Sequence, residues 1–183
     1  MEVKETGFEG LVELFPSINY DNRGWFFELF NENTYRQHNL NYRFVQQNHS
    51  FSVKGVIRGL HFQRPPFGQA KLVTVLKGKV LDVVVDIRSG SKTFGKVNYC
   101  VLDSEKRNML MVPDGFAHGF SALEETLFAY KCTSTYNREA EGGIVWNDPD
   151  LRIDWQVENP ILSAKDSSLP TLAELMRKSV ILQ

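Results

Sequence analysis

The chain has 183 residues, of which 42% are hydrophobic and 23% are charged, and its formal net charge is −1. This length suits one domain with a substantial core. The sequence contains no basic run of the kind that binds nucleic acid or a membrane surface, and no apolar run that would cross a bilayer. Because the first residues also lack the apolar stretch of a signal peptide, we predict a cytoplasmic protein that binds neither nucleic acid nor membrane.

A series of short segments has the composition of β-strands, with Val, Phe, Tyr, Leu and Thr inside them and Gly, Pro, Asp or Asn between them. In chain order the predicted strands are 9–15, 24–30, 42–48, 55–63, 70–76, 79–88, 95–102, 107–112, 116–122 and 125–133. The clearest pair is a hairpin with its turn at Lys77-Gly78. One face of its first strand carries Lys71, Val73 and Val75.

Helical signals are confined to two segments. Segment 31–38 has Asn31 or Asn33 as a candidate N-cap, and segment 170–178 begins with Pro170 and ends with basic residues. Many short strands with little helix predict an all-β fold, a double-sheet jelly-roll barrel with short C-terminal helical segments. No repeat or linker divides the chain, so we predict a single domain over 1–183, with a partly helical tail at about 160–183.

Segment 56–63 contains more polar groups than a purely structural strand needs, because Arg58, His61 and Gln63 interrupt its apolar residues. Lys71 opens the next strand. A histidine and a lysine brought together on a concave sheet supply a base and a cation, which suit removal of a proton next to a carbonyl. Arg58 and His61 have opposite parity in a regular strand, so both line one site only if a bulge intervenes, and we place it at Gly59.

The other candidate groups have more than one interpretation. We expect His38 to be solvated, whereas His49 suits a site or a structural hydrogen bond equally. His118 lies in a segment bracketed by Pro113, Gly115 and Gly119, and aromatic residues flank it. No metal is expected, because the histidines lack the converging His, Asp, Glu or Cys partners of a metal site. Cys100 and Cys132, both outside a CxxC motif, are predicted to be buried reduced thiols.

With these residues in view, the chain resembles the dTDP-4-dehydrorhamnose 3,5-epimerase family from Phe8 to about Leu169. The resemblance rests on several blocks in the same order. They are DNRGWFFE at 21–28, QQNHS at 46–50, GVIRGLHFQ at 55–63, PDGFAHGF at 113–120, and WNDP at 146–149 with LSAKD at 162–166.

The resemblance implies a cupin-type jelly roll, a homodimer, no metal or other cofactor, and the substrate dTDP-4-dehydro-6-deoxy-D-glucose. It also implies catalytic roles: His61 as the base, Asp166 as the acid that orients it, Lys71 as the cation beside the C4 oxygen, and Tyr130 as the proton donor on the opposite face.

The same resemblance implies a set of substrate-binding residues. Those expected to contact the sugar or the diphosphate are Gln47, Asn48, Arg58, His118, Tyr136, Glu141 and Lys165. Arg23, Phe26 and Glu28 match a segment that reaches into the partner's site, so the strands of about 1–48 are expected to pack on the partner subunit. The chain departs from many family members after Glu141, where Gly142 replaces a basic residue.

Three alternatives stay open at this point. A related enzyme on the same scaffold inverts only C3 or only C5 of a nucleotide sugar. A metal-dependent β-barrel enzyme requires a stoichiometric transition metal. A non-catalytic sugar-binding barrel has no use for a base and an acid together, which argues against it here.

Overall fold

The computed structural model describes residues 1–178, which form two packed β-sheets, a separate hairpin and short helices. The strands are β1 (Glu2–Glu5), β2 (Val12–Phe15), β3 (Asn19–Asp21), β4 (Gly24–Phe26), β5 (Gln46–Ser52), β6 (Ile57–Gln63), β7 (Lys71–Lys77), β8 (Lys79–Asp86), β9 (Val97–Asp103), β10 (Met109–Val112), β11 (Phe116–Ala122), β12 (Thr126–Cys132) and β13 (Glu141–Gly143). The helices are α1 (Glu32–Gln37), α2 (Ala164–Ser167) and α3 (Leu172–Arg177).

The strand order defines the architecture. One sheet has the order β1-β2-β10-β7-β12-β5, the other has the order β13-β6-β11-β8-β9, and β3 pairs only with β4. Neighbouring strands in both sheets run antiparallel. This arrangement confirms the predicted double-sheet jelly roll of cupin type. No helix within residues 1–178 is long and apolar enough to span a bilayer.

Three apolar clusters hold these layers together. The cluster between the sheets includes Val73, Val84, Phe120 and Phe128. A second covers the outer face of the five-stranded sheet, where Leu81, Val83, Val85 and Ile87 meet residues of the C-terminal segment. A third covers part of the six-stranded sheet with the segment around α1. Both cysteines are free and buried, as predicted.

Most predicted strands lie where the sequence indicates, but the bounds of two were wrong. Segment 42–48 was expected to be a strand, whereas β5 begins at Gln46, because Tyr42 and Phe44 pack in the third cluster instead of joining the ladder. Segment 24–30 was expected to be one strand, whereas β4 ends at Phe26 and the chain leads on towards α1. The short strands β1, β3 and β13 were not predicted, since none has an apolar pattern.

The helix caps follow the sequence. Asn31 caps α1, and its side chain accepts from the backbone N–H groups of Asn33 and Thr34. Thr171, directly after Pro170, caps α3 through a reciprocal capping box with Glu174. Residues 179–183 of the predicted tail lie outside the described residues.

Candidate active site

A cavity lies between the two sheets and has a volume of about 480 Å³. A second lobe of about 360 Å³ adjoins it, and His61, Lys71 and Tyr130 line both. The main cavity is lined by Ser50, Val56, Ile57, Arg58, His61, Lys71, His118, Gly119, Phe120, Phe128, Tyr130, Ile161, Leu162, Ser163, Lys165 and Asp166. Strands of opposite sheets thus bring several predicted site residues to one space.

His61 is paired with a buried carboxylate. Its Nε2 lies 2.8 Å from Oδ1 of Asp166, a residue only 4% exposed. Asp166 sits in the single turn of α2, whose N-cap Ser163 accepts from the Asp166 backbone N–H. Burial, the largest single influence, raises the pKa of Asp166, but the hydrogen bond and charge of His61, with the hydrogen bonds from Gly59 and Ser163, together outweigh it and hold the pKa below its usual value. The carboxylate therefore stays ionised and orients the imidazole.

A bulge in β6 places Arg58 and His61 on the same cavity. Along β11, His118 is opposite His61 and Phe120 is opposite Arg58, so β6 holds one residue more than its neighbour. Gly59 lies at this irregularity with a φ of 125°, and its N–H donates to Oδ2 of Asp166. The bulge predicted at Gly59 is therefore present.

Lys71 enters the cavity at the end of the inward row that it shares with Val73 and Val75. Its strand neighbour in β12 is Cys132. Burial lowers the pKa of Lys71, while negative charge on neighbouring acids, including Asp82, acts in the opposite direction. The ammonium is thus poorly solvated, which increases its attraction for an anion in the cavity.

Tyr130 stands on the six-stranded sheet, facing the five-stranded sheet that carries His61. Burial raises the pKa of its phenol, and the nearby thiol of Cys132 acts in the same direction, whereas the neighbouring Asn48 side chain opposes them. Tyr130 is therefore protonated at neutral pH and has a proton to donate.

A second histidine–carboxylate pair lies deeper in the same interior. His118 Nε2 is 2.9 Å and 3.0 Å from the two oxygens of Asp82. Asp82 is fully buried and His118 is nearly so. Sequence reasoning missed Asp82, although a carboxylate between the apolar residues Leu81 and Val83 of a strand was a usable signal.

Three side chains interact at the rim of the second lobe. Glu141 accepts from the phenol of Tyr136 at 2.9 Å and pairs with the Lys165 ammonium at 2.6 Å. A Cβ atom at Gly142 would lie 2.6 Å from the Phe62 ring, so a basic side chain after Glu141 would require this ring to move. Lys165 brings a cation to this rim from another part of the chain.

Two adjacent predicted residues face opposite sides of β5. Asn48 points inward and lines the second lobe beside Gln46, which the sequence reasoning did not single out. Gln47 lies on the outer face, where it contacts His49 and Lys131. The rule that neighbouring strand residues face opposite sides, which was applied to Arg58 and His61, would also have predicted that Gln47 and Asn48 face opposite sides.

The remaining predicted contacts lie away from this chain's cavity. Arg23 is exposed and pairs with Asp21, and Phe26, 69% exposed, belongs to the β3–β4 hairpin. Glu28 accepts from the side chain of Asn31. Within one chain the structure therefore does not bring Arg23, Phe26 or Glu28 to His61.

Over residues 1–178, no group of three His, Cys, Asp or Glu side chains is arranged to hold a metal ion. The groups that do converge are an oriented imidazole, a phenol, a desolvated ammonium and further cations. Such a set moves protons and stabilises negative charge. The fold and the site together define an acid–base enzyme on a cupin-type jelly roll.

Comparison with known proteins identifies the family. The sequence profile described as dTDP-4-dehydrorhamnose 3,5-epimerase matches residues 5–174. The enzyme of that name from Escherichia coli K12 is 46% identical over 99% of this chain and all of its own length. The chain therefore belongs to the dTDP-4-dehydrorhamnose 3,5-epimerase family.

Solved structures agree with this assignment. A dTDP-6-deoxy-D-glucose 3,5-epimerase from Legionella pneumophila, in complex with dTDP-4-keto-L-rhamnose, has a TM-score of 0.93 and 42% identity, covering 100% of this chain and 97% of its own. A 3′-monoepimerase from Streptomyces bikiniensis, in complex with dTDP-quinovose, has a TM-score of 0.92 and 34% identity, covering 98% and 92%.

Proposed function

We propose that this protein inverts C3 and C5 of dTDP-4-dehydro-6-deoxy-D-glucose to give dTDP-4-dehydro-L-rhamnose, a step in dTDP-L-rhamnose biosynthesis. The reaction proceeds by proton removal and return next to the C4 ketone, without a metal or other cofactor. The observation that carries the proposal is the arrangement of the oriented pair His61–Asp166 on one wall, opposite Tyr130 and Lys71 on the other.

The energetics explain why a base alone is insufficient. A carbon acid next to a ketone is weaker than imidazolium by on the order of ten pKa units, roughly 13 kcal/mol. A positioned general base supplies about 10²–10⁴-fold, or about 3–5 kcal/mol. A cation held at the developing enolate oxygen contributes roughly 3–4 kcal/mol, by analogy with an oxyanion-hole donor. Orientation of the sugar in a cavity that excludes water supplies much of the rest.

The residue roles follow from this requirement. His61 removes the proton, with Asp166 holding its ring and balancing the imidazolium that forms. Lys71 stabilises the negative charge on the C4 oxygen. Tyr130 then delivers a proton from the opposite face, and solvent exchange restores both groups. One base serves C3 and C5 in turn if the sugar ring tilts between the steps.

The same site offers several cations to the diphosphate and polar groups to the sugar. We assign Arg58 and Lys165 to the anionic diphosphate, because both line the cavity and are accessible from its mouth. Asn48, His118, Tyr136 and Glu141 are assigned to the sugar and the adjoining phosphate. Because Gln47 lies on the outer face of β5, we assign it no substrate contact inside this chain's own cavity.

Homodimer formation is part of the proposal. The β3–β4 hairpin carries large aromatic side chains that are more than half exposed, Tyr20, Trp25 and Phe26. In the dimer this hairpin reaches the partner's site, where Arg23, Phe26 and Glu28 contact the nucleotide. The exchange of the strands of about 1–48, the single-domain organisation of 1–183 and the cytoplasmic location stay predictions from the sequence.

One competing function has a specific observation in its favour. The 3′-monoepimerase shares the fold at a TM-score of 0.92, although its identity of 34% is below the 46% of the Escherichia coli enzyme. Proton NMR of the product made from dTDP-4-dehydro-6-deoxy-D-glucose separates the two. A product inverted at both C3 and C5 supports the proposal. A product inverted only at C3 would show that the protein is a mono-epimerase.

A further inference from the structure

The β3–β4 hairpin, residues 19–26, has few directed contacts with the rest of its own subunit. Strand β3 pairs only with β4, and the hydrogen bonds and ion pairs that hairpin residues form within 1–178 stay inside the hairpin. A stacking contact nevertheless connects it to a distant part of the chain. The guanidinium carbon Cζ of Arg107 lies 4.2 Å from the centre of the Trp25 ring.

The Arg107 side chain is held firmly where it meets this ring. Arg107 lies in the turn between β9 and β10 with a φ of 57°, a left-handed conformation that long side chains rarely adopt. Its backbone N–H donates to the carbonyl of Asp103 at 2.8 Å, and its Nη1 donates to the carbonyl of Glu105 at 2.7 Å. Its Nε is buried and has no hydrogen-bond partner within residues 1–178. The turn therefore fixes the guanidinium beside Trp25.

A guanidinium over a tryptophan face is an attractive contact of useful size. The plane of the cation stacks on the ring, and such a contact changes an equilibrium constant by roughly 2–30-fold, depending on its exposure. The same hairpin carries Arg23 and Phe26, which are assigned above to the nucleotide in the partner's site. Because apparent affinity falls with the fraction of molecules in the binding-competent arrangement, a contact that directs the hairpin strengthens nucleotide binding.

We propose that Arg107 is a positioning residue that holds Trp25, so that the hairpin presents Arg23 and Phe26 to the nucleotide in the partner's site. This inference rests on the proposed function and its dimer. The stack itself is a property of the free enzyme. Arg107 does not touch the substrate and acts only through Trp25.

The stack is tested first in the enzyme without substrate. The chain has three tryptophans, so fluorine-19 NMR of 5-fluorotryptophan-labelled protein gives three resonances, and the Trp25 resonance is assigned by its loss in Trp25→Phe. Arg107→Asn is expected to shift that resonance and to leave those of Trp146 and Trp155 in place. Asparagine is chosen because it tolerates the left-handed conformation and so preserves the turn. An unchanged Trp25 resonance would overturn the proposal.

The consequence for binding is tested with dTDP as the probe. Calorimetry is expected to show a Kd for dTDP that is about 3–10-fold higher in Arg107→Asn than in wild type. At a saturating concentration of the dTDP-4-dehydro sugar, kcat should stay within about twofold, because the hairpin contacts the nucleotide and not the reacting carbons. An unchanged Kd would overturn the role of Arg107 and leave the proposed function intact. Wild-type protein that does not bind dTDP would overturn the proposed function, and the role of Arg107 with it.

A double variant tests whether Arg107 acts through Trp25. Trp25→Leu removes the other half of the same contact. When Arg107→Asn is added to Trp25→Leu, the Kd for dTDP is expected to rise by less than about twofold, because the contact is already lost. A further rise as large as that of Arg107→Asn alone would show that Arg107 acts independently of Trp25, and would overturn the proposal.

Arg152 supplies the matched control. It is an exposed arginine with a left-handed φ of 47°, but its guanidinium stacks on no aromatic ring within residues 1–178. Arg152→Asn removes the same charge and is expected to leave the Kd for dTDP within about twofold and the Trp25 resonance unchanged. An equal rise in Kd in both variants would mean that any lost arginine weakens binding of the anionic nucleotide, and would overturn the proposal.

Discussion

At the scale of single residues, the decisive feature is that His61 and Tyr130 stand on opposing sheets. Inversion of a carbon centre needs a proton removed from one face and another delivered to the other. Burial raises the pKa of Tyr130, so its phenol holds the proton that it must deliver. The base on the opposite wall is oriented by the ionised Asp166.

Tyr130→Phe removes the proton donor while keeping the ring. We expect kcat to fall by about 10²-fold or more, since a general acid contributes on this scale, while KM changes little. Steady-state kinetics with the dTDP-4-dehydro sugar measure both constants. Wild-type kcat in this variant would show that another group returns the proton.

Because Lys71 must be an ammonium, we predict that activity falls at alkaline pH as Lys71 loses its proton. Only the ammonium form stabilises the enolate, and the lowered pKa means that this form is lost at a lower pH than an ordinary lysine would allow. Lys71→Arg keeps the charge at all accessible pH values, so its remaining activity should persist to higher pH. Lys71→Met should lower kcat across the whole range. Identical alkaline limbs in wild type and Lys71→Arg would exclude Lys71 as the group that titrates.

At the scale of elements, the bulge in β6 determines which side chains meet. An added Cβ atom at Gly59 would lie 2.5 Å from the Gly119 Cα atom of the neighbouring strand. The φ of 125° is also a conformation that side-chain-bearing residues rarely adopt. Both effects oppose any residue other than glycine at the point where Arg58 and His61 are brought to one side.

Gly59→Ala is therefore expected to be destabilising and to reduce kcat by displacing His61. Gly90→Ala is the matched control, because Gly90 also has a positive φ, of 79°, but an added Cβ atom meets nothing within 4 Å. We expect Gly90→Ala to cost about 1–2 kcal/mol from the backbone alone and Gly59→Ala to cost clearly more. Thermal unfolding measures the difference, and equal Tm losses would contradict the steric account.

The sequence predicted these elements unevenly, for physical reasons. Strands with strong apolar patterns, such as β7, β8 and β11, were located to within a few residues. The polar edge strands β1 and β13 carry no pattern and depend on their neighbours for hydrogen bonds. Tyr42 and Phe44, before β5, have the composition of a strand, but they pack against the six-stranded sheet instead of joining it.

At the scale of the whole molecule, the site combines parts that are far apart in the chain. His61 and Asp166 are 105 residues apart, so no local spacing connects them, and only the family resemblance linked them beforehand. His61 and Lys71, by contrast, were visible as polar residues inside apolar strands. The position of Arg23, Phe26 and Glu28 outside this cavity follows from a site that, as proposed, needs a second subunit.

The proposed dimer predicts complementation between two inactive variants. One carries His61→Ala, and the other carries Arg23→Ala with Phe26→Ala in the hairpin. In a mixed dimer, the subunit with an intact His61 receives an intact hairpin from its partner, so co-expressed and co-purified variants should recover activity up to about half of the wild-type level per dimer. No recovery in verified mixed dimers would mean that the hairpin does not act across subunits.

The central claim, proton transfer at C3 and C5 by His61, is tested most directly by exchange with solvent. Proton NMR of dTDP-4-dehydro-6-deoxy-D-glucose with enzyme in deuterated water follows both positions as epimerisation proceeds. We predict deuterium at C3 and C5 with the wild-type protein, and uptake at neither carbon above the enzyme-free rate with His61→Ala. Uptake at the wild-type rate in His61→Ala would contradict the account.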